Sequence, residues 1–352
     1  MAYTTINDPS QYFHTRLYTG SGSSGLQVRN NANSGDFTPD WLWIKPRSVA
    51  DNNTVFDSSR GFTQQLKTNG NDAEDTHSPQ RITRETNGFD VDTTDQNYNK
   101  SSDTYVAWQW IANGGTTSSN SDGSITSTVQ ANTTAGFSII TYTGTGSNAT
   151  IGHGLGATPE FVIVKCRSEA QNWEILHTSL GGVANQDISL NETTGTGSPN
   201  GSVRWNALPT SSVINLAGGN TTNKSSQTFV AYAFVGIKGY SRFGQYKGNG
   251  NNNGSFVYTG FKPAWVMIKN ITDNGDDWHI LDSTRSPLNV ADERLKANTN
   301  DAEGDDDALD FLSNGFKLRN TSNARNSGDT FIYMAFAEHP LVTGTGTPNT
   351  AS

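Results

Sequence analysis

Apolar positions in this chain fall in short runs of four to eight residues, rich in Val, Ile, Thr and aromatics and fenced by Gly, Asn, Ser or Pro. That is the pattern of β-strands joined by polar turns; the 3.6-residue period of long amphipathic helices is nearly absent. The runs recur in a fixed order. Three aromatic strands close three similar segments: Thr104-Tyr105-Val106-Ala107-Trp108-Gln109-Trp110, Thr228-Phe229-Val230-Ala231-Tyr232-Ala233-Phe234 and Thr330-Phe331-Ile332-Tyr333-Met334-Ala335-Phe336. Upstream of each lies a proline-led strand, Pro39 to Lys45, Pro159 to Lys165 and Pro263 to Lys269, with an aromatic two residues after the proline. Proline cannot donate to a sheet ladder, so it belongs at a strand's entrance. A third strand follows: Val55-Phe56-Asp57, Ile175-Leu176-His177 and Ile280-Leu281-Asp282.

Each segment opens on a strand that enters a glycine turn: Phe13 to Tyr18 and Gly20, Phe137 to Tyr142 and Gly144, Phe243 to Tyr246 and Gly248. The first and third segments are closest, with Leu66 to Glu74 matching Leu295 to Glu303 at seven of nine positions. The expected fold is all-β, three tandem related antiparallel β-sandwich repeats of jelly-roll type, each of about 100 residues and able to bury its own core. Residues 1–112, 137–238 and 239–344 form the repeats, with 113–136 a Gly/Ser/Thr/Asn-rich linker and 345–352 a tail. The linker composition predicts a flexible joint or extended arm. The second segment instead runs through Gly236 to Arg242 into the third almost without pause, so those two are expected to pack together.

Composition agrees with many short strands: 36 glycines, 33% hydrophobic and 16% charged residues. No apolar run approaches the roughly 18 residues of a membrane-spanning helix, and the Met1-Ala2-Tyr3-Thr4-Thr5 start lacks the features of a signal peptide. The single cysteine, Cys166, excludes an intramolecular disulfide framework and, within a strand, reads as a small core residue. A net charge of -9 argues against nucleic-acid binding and favours solubility.

Several apparent motifs carry less than they promise. Gly20 to Gly25 and Gly144 to Ala149 match the dinucleotide fingerprint, but neither opens a helical pattern, so a repeated demand for positive φ in the turns explains them better. No cofactor is expected. The acidic residues Asp301, Glu303, Asp305, Asp306, Asp307 and Asp310, with Asp72 and Glu74 in the first segment, lack EF-hand spacing and leave metal binding an open question. The six histidines show no paired metal spacing. A glycosidase needs two carboxylates beside an aromatic platform; Glu174 next to Trp173 and Asp277 next to Trp278 are the candidates, although acidic residues in turns are common. Trp41, Trp43, Trp108, Trp110 and Trp265 lie in the repeated strands and are expected in the core. Trp173 and Trp278 are less constrained, because Asn53 holds their place in the first segment, and they are the candidate surface platforms for glycan contact.

The string Phe137 to Gly144, followed by Gly152-His153-Gly154-Leu155-Gly156-Ala157-Thr158-Pro159 and Glu160 to Lys165, resembles an uncharacterised three-repeat family of marine bacteriophage virion proteins, often labelled tail fibre or structural protein. The likeness continues through Val257 to Pro263, Asp310 to Asn320 and Tyr333 to Glu338, covering nearly the whole chain. The resemblance implies lectin-like β domains and a virion location after assembly in the host bacterial cytoplasm, and it brings no catalytic residues. The expectation is a non-enzymatic virion structural protein, a tail-fibre or appendage component that contacts the host surface. The alternatives are a capsid or neck decoration protein or a polysaccharide-degrading tail glycosidase. Expected partners are other virion proteins, host surface polysaccharide and further copies of the chain in a homo-oligomer such as a trimer. The first repeat starts close to Met1, unlike fibres with a long anchoring arm.

Overall fold

The computed structural model describes residues 3–30, 37–196 and 204–348. It is nearly all β, with 43% of residues in strands and 4% in helix, arranged in several antiparallel sheets. In the repeated central strands of the first two segments every side chain is buried, successive apolar ones in different cores. In Trp41–Pro46 the side chains of Trp41 and Trp43 enter one apolar cluster while Leu42 and Ile44 enter another, so both faces of the strand are covered. A continuous apolar run is what such a position requires.

Three large sheets share one strand order. In the first segment it runs Phe13–Thr19, Thr104–Trp110, Trp41–Pro46, Thr54–Asp57, Gln64–Lys67. The second runs Phe137–Thr143, Thr228–Phe234, Phe161–Cys166, Trp173–His177, Ile188–Ser189, and the third Ser241–Lys247, Thr330–Pro340, Phe261–Asn270, His279–Asp282, Ala291–Lys296. Registers correspond as well: Trp41 faces Trp110, Phe161 faces Phe234, and Trp265 faces Phe336. One sequence alignment needs correction. Phe13 and Phe137 lie opposite Trp110 and Phe234, but Ser241 rather than Phe243 lies opposite Phe336, so Phe243 sits two residues further along its strand.

Each segment has an apolar core of its own on one face of its large sheet, and the opposite faces of all three sheets meet in one central cluster. That cluster contains Trp41, Trp43, Trp108, Trp110, Phe137, Phe161, Trp173, Phe234, Trp265, Trp278 and Phe336. Its ring contacts cross between segments: Trp41 stacks on Tyr232 with centroids 4.8 Å apart, Phe13 on Phe336 at 5.3 Å, and Trp110 meets Trp265 edge-on at 5.8 Å. Such aromatic pairs add about 0.5–1.5 kcal/mol each beyond the area they bury. The expected packing of the second segment on the third is present, but the first segment packs on both.

Residues 113–136 differ from the flexible linker expected of their composition. Ser118–Asn120 and Ser127–Asn132 are strands, the second pairing along Phe137–Thr143 from Thr128 opposite Thr141 to Asn132 opposite Phe137. The backbone ladder, indifferent to side-chain composition, orders this segment, and Ile125 and Val129 anchor it in the second core. It covers the edge of the second sheet, where Phe137–Thr143 carries no charge, whereas the first and third sheets keep their opening strands at the edge and place Arg16, Arg242 and Lys247 on them. Charged side chains on an open edge discourage pairing with foreign strands.

The turn glycines have two distinct causes. A Cβ on Gly20, Gly144 or Gly248 would fall 2.1, 2.2 or 2.0 Å from the carbonyl oxygen of Lys100, Lys224 or Ser327. Close backbone approach fixes these three. Positive φ, the cause expected from sequence, applies two residues on, at Gly22, Gly146 and Gly250, with φ of 69°, 76° and 62°.

Candidate functional site

A set of polar side chains on the repeated strands joins the segments, in ties that recur at all three joints. Lys45, Lys165 and Lys269 are buried, and each donates to one carbonyl of its own segment and one of a neighbour: Asp51 and Asn300, Gln171 and Asn71, Asp276 and Thr193, at 2.6–3.2 Å. Burial pushes all three ammonium groups down to about 8. Backbone bonds cross the same three joints in the opposite sense: the amides of Glu74, Thr196 and Glu303 donate to the carbonyls of Arg167, Ile271 and Arg47. In the first and third segments the glutamate also pairs with the same neighbour's arginine, Arg167 with Glu74 and Arg47 with Glu303, each at 2.7 Å.

The third strands close the ring. Tyr232 donates its hydroxyl to Asp57 at 2.7 Å, and Trp108 donates Nε1 to Asp282 at 3.0 Å. Both aspartates are buried beside an arginine, Arg60 and Arg285. At the remaining joint the closing strand presents Met334, which has no donor, and here the aspartate is replaced by His177 and the arginine by Leu180. His177 accepts from the Ser179 amide through Nδ1 and faces the Tyr333 carbonyl through Nε2 at 3.4 Å, with burial lowering its pKa to about 4. The loss of the donor and the loss of the carboxylate go together, because an unpaired buried charge is costly.

Trp173 and Trp278, the candidate glycan platforms, are buried in this same interface and offer no ring to solvent. Trp173 donates Nε1 to the Lys67 carbonyl at 2.8 Å, Trp278 to the Ser189 carbonyl at 3.0 Å, and Asn53 donates to the Lys296 and Thr299 carbonyls. Asparagine stands where the others have tryptophan because the position needs an N–H pointing at the neighbour. All eight tryptophans are buried. Glu174 is buried against Arg204 at 2.9 Å and pushed by burial to about 7, and Asp277 is paired with Lys296 at 2.8 Å. Neither lines the clefts described below.

The acidic run lies largely in the strand Gly304–Leu312, whose side chains alternate between faces. Glu303 meets Arg47 and Arg285, Asp306 meets Arg325, and Asp310 meets Arg319. No group of three or more His, Cys, Asp or Glu converges among the described residues. Cys166 is buried in the second core.

Clefts open where an opening strand passes the end of the neighbouring segment. At the joint of the second and third segments a cleft of about 420 Å³ is lined by Tyr3, Glu160, Lys238, Arg242 and Tyr258. Lys238 Nζ lies 4.3 Å from the Tyr3 ring centre and the Arg242 guanidinium 5.6 Å from that of Tyr258. Tyr3 donates its hydroxyl to the Gly260 carbonyl at 2.7 Å. Glu160 accepts from the Gly236 amide at 3.2 Å, and burial raises its carboxyl while that bond and Arg242 pull it down.

The corresponding cleft between third and first segments, about 580 Å³, has His14 at the place of Arg242 and Ala264 at that of Glu160. Nε2 of His14 is buried without a hydrogen-bond partner, and burial lowers the imidazole to about 4. The third joint is filled. There Asp40, in the place of Glu160, is buried and accepts from the amides of Ala112 and Gly114 and from Arg84, while Gln130 accepts from Asn113 and Gly115. Arg242, Lys238 and Tyr258 were not among the residues nominated from sequence. The available signal was their departure from the pattern: register puts Tyr258 where the first segment has Arg29, and its outward neighbour Phe256 where it has Gln27.

Neither the curated proteins nor the solved structures contain a match to this chain. A family profile does match, over residues 8–340, and the chain therefore belongs to the family described as "Domain of unknown function (DUF7483)".

Proposed function

We propose that this chain is a non-enzymatic structural component of a bacteriophage virion, built from three β-sandwich repeats closed into one block, and mounted as a tail fibre or appendage that contacts the host surface. The observation that supports this reading best is the use of the conspicuous polar and aromatic residues. Buried lysines, tryptophans, a tyrosine and aspartates tie segment to segment in a ring. A catalytic site brings unlike groups together on one reacting bond. Here the two carboxylates nominated for catalysis, Glu174 and Asp277, are engaged in structural pairs, which suits a part that must be rigid and stable rather than reactive. Three similar outer faces also suit contact with neighbouring virion proteins or weak multivalent attachment.

The test has two arms. Cryo-electron microscopy of virions carrying this protein is expected to place its density on a tail appendage; density on the capsid or neck would favour decoration, and absence from the particle would refute the virion reading. Purified protein incubated with host surface polysaccharide is expected to release no new reducing ends. Steady release abolished by Glu174→Gln or Asp277→Asn would overturn the non-enzymatic assignment.

A further inference from the structure

We propose that the cleft between the second and third segments is a binding site for an acidic saccharide, a chain of sugars carrying carboxylates. The inference concerns this site alone and rests on no part of the virion reading. Three observations carry it. First, the cleft holds two exposed cations: among the described residues neither Lys238 nor Arg242 has an acidic group within ion-pair distance, although Arg242 lies near enough to Glu160 and the Tyr333 hydroxyl to act on both. Each is held over an aromatic ring instead, Lys238 over Tyr3 and Arg242 over Tyr258. A cation so placed is oriented while its N–H groups stay available for charge-assisted bonds to a carboxylate.

Second, Phe256 and Tyr258 are 47% and 45% exposed, two of the four exposed large hydrophobic residues among those described. They alternate with the buried Val257 on the edge strand Phe256–Tyr258, which puts the two rings on one side about 7 Å apart. The fold asks only for the inward residue, Val28 in the first segment and Val257 in the third; the outward pair in the first segment is Gln27 and Arg29. The two rings are not needed for the inward packing of the strand, and they form an apolar platform beside the polar cleft. The apolar faces of sugar rings stack on such platforms.

Third, this combination belongs to one joint only. The joint of first and second segments is filled by residues 113–132 and its carboxylate, Asp40, is fully engaged. The joint of third and first has His14 and Ala264 in place of Arg242 and Glu160. Glu160 uses one oxygen on the Gly236 amide, and its other oxygen can accept from a sugar hydroxyl. Two cations against one carboxylate leave the cleft net positive on a protein of charge -9, which selects an anionic ligand.

The probe is a galacturonic acid oligomer of about six residues, titrated by isothermal calorimetry against the full chain, with the carboxyl-reduced oligomer and an oligoglutamate peptide of equal charge as comparisons. Binding of the acidic oligomer is expected in the micromolar to millimolar range, and the reduced oligomer is expected to bind at least tenfold more weakly. Arg242→Gln, Lys238→Gln and Tyr258→Ala are each expected to weaken it about tenfold, and Gln27→Ala not at all. All four positions are on the surface, and unchanged melting temperatures will show that the variants fold. No heat with the acidic oligomer, equal binding of its reduced form, or indifference to Arg242→Gln would overturn the assignment. Oligoglutamate binding as tightly would also overturn it, in favour of an acidic peptide.

Discussion

The hydrogen bond from Tyr232 to Asp57 offers the sharpest test of the ring of ties, because it crosses between segments and can be removed without leaving a charge alone. Tyr232→Phe deletes one hydroxyl from a fully buried site and keeps the ring that stacks on Trp41. Asp57 retains Arg60, so the loss is one hydrogen bond to a charged acceptor, about 1.5–3 kcal/mol. Asp57→Ala is expected to cost more, about 3–5 kcal/mol, because it strips a buried arginine of its nearest partner. The double variant should fall short of the sum by about 1–2 kcal/mol, the coupling expected of residues in direct contact. The converse change tests the same logic at the Met334 joint. His177→Asp puts a carboxylate where neither Met334 nor Leu180 can donate, and is expected to destabilise by about 3 kcal/mol or more. Adding Met334→Tyr and Leu180→Arg, which rebuild the arrangement of the other joints, should restore part of that loss. Urea unfolding followed by tryptophan fluorescence supplies the free energies. A Tyr232→Phe midpoint equal to the parent's, or no recovery on rebuilding the third joint, would refute the claim that these contacts hold the segments together.

Trp265→Ala empties a large aromatic site in the shared cluster and is expected to cost about 3–5 kcal/mol, read from the same urea curves. It should unfold all three segments in one transition; two separated transitions would mean that the central cluster does not couple them. His177, neutral in the folded protein down to about 4 and protonated near 6.5 when unfolded, contributes stability that is full above pH 6.5 and is lost as pH falls toward 4. The parent should therefore lose about 3 kcal/mol more than His177→Gln between pH 7 and 4, measured by urea unfolding at each pH. Subtilisin should nick the exposed stretch around 114–124, yet the fragments should co-elute on size exclusion, since the first segment is held by the core and the ties rather than by its chain connection. Separation of a fragment of about 110 residues would contradict that packing.

What the sequence determined by itself is the all-β character and the four strands that recur in each segment. The short apolar runs and the prolines ahead of Trp41 and Phe161 are local demands, each written in a few adjacent residues; Pro263 instead lies inside its strand Phe261–Asn270, at a shift of register. The burial of the five tryptophans on those strands follows from them, whereas the pairing of Trp41 with Trp110 and of its counterparts is a long-range contact that the structure supplies. Tertiary structure decided which face of each strand meets which partner. Trp173 and Trp278 read as surface residues only while each repeat is imagined alone; the second face of the sheet has no local signature, and only the meeting of three sheets buries it. The same reason hid the order in residues 113–136, where the ladder to Phe137–Thr143 supplies what the side chains do not announce. It also hid the cleft, whose lining comes from Tyr3, Glu160, Arg242 and Tyr258, more than 250 residues apart at the extremes. Covalent neighbours fix strands and turns; contacts between segments, made across long loops and paid for by shared apolar burial, fix where the chemistry collects.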